Sequence, residues 1–313
     1  MPKFHQGWAG PELELPAFEA YASQSHNPVL NMDMINWDEA AKYFGTGDSD
    51  PKGKRHAFWD SVIKLTGKHL PNTNQLLGDC VGAGTEMELE YMLADQIVRE
   101  GRLELYRPIF RPFLYGAGRV LIGKNRIRGD GSIMSWQMEA IQKIGILAED
   151  EPGIPTYSTA VGREWGSSAA ILNKWVPLAK DQRIEKYVDV RDFDDLAKCV
   201  IIAKMGVVIA SSQGFEMQLR HDSAAGCSWY IPSGVWQHLQ HIPAVDYNLA
   251  NPRCYVGNQW GYNAHPGQLD GPNGGGWLRP EQFDRWIKKS GTVCCAMINI
   301  SAWRKLAPNF NMI

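Results

Sequence analysis

The chain has 313 residues, enough for one large domain or two modest ones around a sizeable core. Its 44% hydrophobic and 21% charged residues are a globular composition and exclude a disordered chain. A formal charge of −2 offers no general attraction for nucleic acid, and the basic run Lys52 to His56 is short and reads as a solvated surface.

Residues 1 to about 58 are rich in Pro, Asn and Asp, with weak periodicity. They predict an extended N-terminal arm with one short helix near Asp38–Tyr43, able to wrap its own domain or to assemble with a neighbouring subunit. Met1 to Gly10 has no apolar run behind a positive start, so no signal peptide is expected, and the chain is placed in the cytoplasm or in a larger particle. Residues 59–313 predict one domain, helical over about 59–160 and β-rich over about 161–313.

Within that domain, Val81, Met87, Tyr91, Leu93, Ile97 and Val98 recur at helical spacing and Gly101 supplies a stop, which predicts a helix over Cys80–Arg99. Further helices are expected over Ser132–Ile144 and Asp194–Met205, each followed by Gly. Val207–Ala210, Leu239–Tyr247, Cys254–Gly257 and Thr292–Ile300 then read as strands separated by Gly, Pro and Asn. Helices first and strands afterwards predict an α+β, two-lobed architecture with a cleft. The longest apolar stretch, Val200–Ala210, is interrupted by Lys204 and too short for a bilayer, so no membrane association is expected.

Six cysteines (80, 199, 227, 254, 294 and 295) are too sparse for a disulfide framework, and no CxxC or His/Cys ligand spacing indicates zinc. Neither metal nor cofactor is expected. Most of these residues read as buried thiols.

Cys80 differs because it opens the first strong helix, in Asn74-Gln75-Leu76-Leu77-Gly78-Asp79-Cys80-Val81-Gly82. Unpaired N–H groups and the positive end of the helix dipole at that position stabilise a thiolate and a developing oxyanion. Gly78 permits close approach of a substrate backbone, and Gln75 can donate a side-chain N–H to the same oxyanion. A buried structural thiol is the competing reading of Cys80.

This segment resembles the active-site motif of the papain family of cysteine peptidases, in which a Gln shortly precedes Gly-Ser-Cys-Trp at the start of the central helix. Gln75, Gly78 and Cys80 match. Asp79 stands where the family has a small residue, Val81 replaces the Trp, and Gln75 is one residue closer to the cysteine. The resemblance extends over about residues 68 to 300. His238 opens the run His238-Leu239-Gln240-His241-Ile242-Pro243-Ala244-Val245-Asp246, similar to the family's His-Ala-x-x-x-x-Gly-Tyr-Asp strand, with Ala244 in the Gly place. His241, three residues on, points to the opposite face and is the rival base. Asn258-Gln259-Trp260-Gly261 resembles the family's Asn-Ser-Trp-Gly.

The resemblance implies a papain-like fold in which Cys80 is the nucleophile, His238 the base, Asn258 the orienter of the imidazole and Gln75 an oxyanion donor. Trp260 would cover the His238–Asn258 hydrogen bond. The turn Gly129-Asp130-Gly131-Ser132 would pair with an extended peptide, and Gly274 to Phe283 resembles the family's closing segment. The implied function is cleavage of peptide or isopeptide bonds in a peptide or protein substrate. The alternative is a non-catalytic assembly protein, conceivably part of a virus particle, that uses the same scaffold. Asp79, Val81, the shortened Gln75 spacing and the lack of a recognisable inhibitory propeptide favour that alternative.

Overall fold

A computed structural model describes residues 7–25, 34–44, 50–101, 106–248, 250–261, 263–266 and 268–300. Parts of the N-terminal arm (1–6, 26–33 and 45–49) lie outside the described residues. The remainder of the arm forms helix α1 (Pro11–Ser25), strand β1 (Met34–Ile35), helix α2 (Trp37–Phe44) and strand β2 (Arg55–Ala57). The short helix expected near Asp38 corresponds to α2. The 15-residue α1, by contrast, replaces part of the expected extended arm. Its apolar residues do not recur at helical spacing and Pro16 interrupts them, so periodicity gave no signal. Pro11 sits at the first helical position, where a missing N–H costs nothing.

The helical side follows with α3 (Phe58–Thr66), α4 (Cys80–Glu100), α5 (Arg111–Gly116), α6 (Met134–Lys143), α7 (Thr159–Trp165) and α8 (Ala169–Ala179). Helix α5 runs directly into a π-helical segment, Ala117–Ile122. Phe110, Phe113, Trp165 and Leu172 form a small second core between α5, α7 and α8. Helical packing therefore continues past residue 160 to about residue 179, and the next strand starts only at Ile184.

The β-rich side contains β3 (Ile184–Asp189), β4 (Gly206–Phe215), β5 (Arg220–Asp222), β6 (Cys227–Trp229), β7 (Pro232–Asp246), β8 (Arg253–Gly257), β9 (Gly275–Leu278) and β10 (Val293–Ile300). Two helices are interleaved, α9 (Phe193–Ala197) and α10 (Pro280–Ile287). The single helix expected over Asp194–Met205 is α9 running into a π-helical segment, Lys198–Ile202. The strands form one sheet in the order β1-β3-β10-β4-β7-β8-β9-β6-β5, with β2 paired to β7. The α+β, two-lobed architecture read from the sequence is present. Among the described residues, no helix is long and apolar enough to cross a membrane.

Helix α4 is the axis of the molecule. It is buried on nearly every face and ends at Gly101, whose left-handed backbone (φ 59°) lets its N–H cap the Ile97 carbonyl. A helix buried all round is expected to be apolar, yet α4 carries four inward acidic residues, each with a partner. Glu86 accepts from Arg111 Nε at 2.5 Å, and Glu90 from Tyr106 Oη and Ile109 N, both at 2.7 Å. Glu88 accepts from Val207 N at 3.0 Å, and Asp95 from Ser61 Oγ at 2.9 Å. These bonds offset only part of the desolvation, which still raises the pKa of Glu86, Glu88 and Glu90, and they tie α4 to the elements around it.

Candidate active site

Cys80 occupies the first position of α4, directly after the Asp79 N-cap, so its N–H belongs to the helix end that lacks intrahelical acceptors. Strand β7 crosses the start of this helix and donates the Leu239 N–H to Cys80 Sγ at 3.4 Å. His238, the residue before Leu239, is buried, and its Nε2 lies 2.9 Å from Asn258 Oδ1 at the end of β8. His238 Nδ1 has no hydrogen-bond partner among the described residues. The Trp260 ring lies 4.6 Å from the imidazole at 35°, and Trp236 in turn packs 4.8 Å from Trp260.

The rival imidazole has other work. His241 Nδ1 lies 3.1 Å from Glu88 Oε2, and its ring stacks on Tyr91 at 5.8 Å. A Cβ on Gly257 would overlap the Nε2 edge of the His241 ring, so glycine lets β8 pass this imidazole and carry Asn258 to His238 without displacing either. Thus the structure pairs Asn258 with His238 and Glu88 with His241.

Gln75 is buried close to the Asn258 segment, its N–H donating to Gln259 O at 2.9 Å. Its Nε2 donates to Leu77 O at 2.7 Å, which engages one of the two amide hydrogens. Asp79 is also buried, and its Oδ2 accepts from Tyr157 Oη at 2.7 Å. Burial raises the Asp79 pKa, while Arg111 and the Tyr157 hydroxyl pull it back. Arg111 stacks 4.9 Å over the Tyr157 ring, so Asp79 is drawn into a network on the helical side.

The turn at Gly129–Ser132 is braced from behind. Arg119 donates to the carbonyl oxygens of Ile127 (2.8 Å), Gly129 (2.5 Å) and Gly131, and Tyr115 Oη accepts from Gly131 N at 2.9 Å. Asp130 makes an ion pair with Arg163 at 3.4 Å on the surface. An extended strand does pair with this turn, but the strand belongs to the chain itself. Ser132 N donates to Gly7 O at 2.8 Å and Ala9 N donates to Ser132 O at 2.9 Å, a parallel bridge centred on Trp8 and Ser132. Gly7 lies so close to Gly78 that a Cβ would overlap the Gly78 carbonyl.

Residues 7–9 therefore cover the thiol. Trp8 is 2% exposed, and its Nε1 donates to Glu14 Oε2 at 2.9 Å. Glu14, itself fully buried, also accepts from Met134 N (2.6 Å), Ser135 N (2.9 Å) and Ser135 Oγ. Its carboxylate thereby serves the free N–H groups at the start of α6 and latches the segment from α1. The backbone N–H groups of Gly7 and Trp8 act on the Cys80 thiol and favour its charged form.

Burial sets the electrostatics of this closed state. It pushes the Cys80 thiol up to about 12, with the Asp79 charge adding to the rise and the Leu239, Gly7 and Trp8 N–H groups opposing it. Burial also pulls the His238 imidazole down to about 4. Burial thus works against a thiolate–imidazolium pair from both sides.

Four participants had no usable sequence signal. Gly7, Trp8 and Glu14 lie in an aperiodic stretch, and His265 sits in the loop after Trp260. His265 is buried, with Nε2 3.4 Å from Asn258 Nδ2 and Nδ1 3.1 Å from Met217 O.

No protein-family model matches the chain, and no curated protein matches it by sequence. Solved structures do match. Xylellain, a cysteine protease from Xylella fastidiosa, superposes with a TM-score of 0.50 at 13% identity, covering 74% of this chain and 83% of its own. ProCathepsin B S9 from Trypanosoma congolense gives a TM-score of 0.50 at 9% identity, covering 82% of this chain and 80% of its own.

Proposed function

Because the chain carries the fold of the papain-like cysteine proteases, we propose that it is a thiol hydrolase acting on peptide or isopeptide bonds in a peptide or protein substrate. The observation that carries this reading is the His238–Asn258 hydrogen bond of 2.9 Å beside Cys80 at the start of α4. Asn258 Oδ1 can only accept, so His238 carries its proton on Nε2 and keeps a lone pair on Nδ1. That lone pair takes the Cys80 proton, and the thiolate attacks the substrate carbonyl carbon. The resulting oxyanion is held by the Cys80 N–H and the second Gln75 amide hydrogen, a class of donor worth about 3 kcal/mol in the transition state. His238 returns the proton to the departing amine, and water then hydrolyses the thioester.

In the closed form described above, residues 7–9 exclude substrate, so activity requires their release. Displacing them rehydrates the thiol and imidazole, which lowers the former pKa and raises the latter. The turn Gly129-Asp130-Gly131-Ser132 then offers its backbone to a peptide, and Gly78 offers room beside it. The same burial of Cys80 also suits an assembly protein that never opens, and a labelling experiment separates the two. The full chain and a Trp8→Ala variant are treated with iodoacetamide or a thiol-directed epoxide near pH 7, and adducts are mapped by mass spectrometry. Expected is slow Cys80 labelling in the full chain, at least tenfold faster selective labelling in Trp8→Ala, and loss of that gain when His238→Ala is added. Equal, slow labelling of all six cysteines in every variant would sink the hydrolase reading.

A further inference from the structure

Resting on that reading, we infer that His265 is a positioning residue that orients the Asn258 amide and, through it, holds the His238 proton on Nε2. The chain of hydrogen bonds runs from a backbone carbonyl to the candidate base. Met217 O can only accept, so His265 Nδ1, 3.1 Å away, must carry the hydrogen. His265 is fully buried, and burial pulls its imidazole down to about 4. At neutral pH the ring therefore has a bare lone pair on Nε2. That lone pair faces Asn258 Nδ2 at 3.4 Å and accepts from it.

An Asn side chain can otherwise turn over with little loss, since its two ends have the same shape. Turned over, Asn258 would set its oxygen against the bare His265 Nε2 and its amide hydrogens toward His238 Nε2. His238 would then have to accept on Nε2 and carry its proton on Nδ1, the nitrogen needed to receive the Cys80 proton. His265 prevents this because its only hydrogen is committed to Met217.

Other neighbours cannot impose the same choice. The Tyr230 hydroxyl lies close to the Asn258 side chain, but a hydroxyl can donate or accept. The Asn258 backbone is already fixed, its N–H donating to Gly274 O at 2.9 Å and its carbonyl accepting from Asn72 Nδ2 at 2.8 Å, so only the side-chain torsion remains free. The Tyr230 ring meets His265 edge-on at 4.7 Å and 83°, and the Trp236 ring lies 6.4 Å away; together they hold the imidazole in its plane.

The test is the tautomer of the buried imidazoles, read from side-chain ¹⁵N chemical shifts of the full chain at pH 7. In the unaltered protein, His265 is expected as the Nδ1–H form and His238 as the Nε2–H form. In His265→Leu, His238 should become a mixture, with at least a third of the population as Nδ1–H. His265→Gln, whose amide oxygen can accept from Asn258 Nδ2, should restore most of the Nε2–H form. Thiol labelling, measured in the Trp8→Ala background, should follow the same order, falling about threefold or more in Leu and recovering in Gln.

His265 found as Nε2–H in the unaltered protein would overturn the inference without any variant, so a misfolded His265→Leu does not shield it. An unchanged His238 tautomer in a folded His265→Leu would overturn it as well. A tautomer shift with Cys80 inert in every background would support the positioning role and sink the hydrolase reading instead.

Discussion

Asp79 places a carboxylate immediately before the thiol, where its charge raises the Cys80 pKa. Tyr157 and Arg111 hold it on the helical side, so the effect on Cys80 is through space and not a block of the cleft. Asn at position 79 keeps an oxygen for the Tyr157 hydroxyl and removes the charge. In the Trp8→Ala background, Asp79→Asn should therefore move the midpoint of the Cys80 alkylation profile to lower pH, by roughly half a unit to one unit at partly buried separations. The sign follows from the charge: a negative neighbour disfavours a thiolate, so its loss favours one. A midpoint that stays put or rises, measured by the rate of iodoacetamide adduct formation against pH, would contradict this. The Trp260 ring packs on the His238 imidazole at 4.6 Å, next to its hydrogen bond with Asn258.

At the scale of elements, the site depends on three crossings: α4 with β7, β7 with β8, and the segment at residues 7–9 with the turn at Ser132. The first sets Cys80 beside Leu239, and the second sets Asn258 beside His238. Gly257 is the narrowest point of the second crossing, because His241 fills the space a side chain would need and is itself held by Glu88 and Tyr91. Gly257→Ala should destabilise the fold by about 1–3 kcal/mol through forced displacement of β8 or of the imidazole. Urea denaturation followed by fluorescence measures the loss, and a change below ~0.5 kcal/mol would mean the crossing is looser than the geometry implies. The third crossing is backbone to backbone, like the pairing expected for a bound peptide, but here the strand runs parallel and offers its N–H groups to the sulfur.

Across the whole molecule, Glu88 is one of the residues through which the helical side grips the sheet. From the middle of α4 it accepts from Val207 N at the start of β4 and meets His241 Nδ1 in β7. Burial raises its pKa and the contact with His241 lowers it. Glu88→Ala would leave the buried Val207 N–H and His241 Nδ1 without their shared partner, so it should cost about 1–3 kcal/mol in chemical denaturation. A cost under ~0.5 kcal/mol would show that the remaining contacts between the two sides suffice without Glu88. Glu14 plays the corresponding role for the N-terminal segment, gathering Trp8 and the start of α6 around one carboxylate. The arm thus folds back on its own chain through α1 and through the parallel pairing of β1 with β3.

Local features of the sequence determined the central helix, its start at a cysteine and its stop at Gly101, because helical period, small residues and a glycine cap act within a few positions of one another. They also determined the second half of the strand that carries His238 and the strand that ends before Asn258, through apolar and β-branched runs between Gly, Pro and Asn, whereas β7 begins at Pro232, well ahead of the expected start at Leu239. Helix α1 carries no such local signal, because what holds it is the burial of Trp8 and Glu14 against residues more than a hundred positions away. Only the tertiary structure could decide which histidine meets Asn258, because the two candidates share one strand and differ by the partners on either face. It alone showed that the chain's own residues 7–9 lie over Cys80 and that His265 stands behind Asn258. Those contacts join segments with no common pattern, and a hydrogen bond between distant residues leaves no period in the sequence to read.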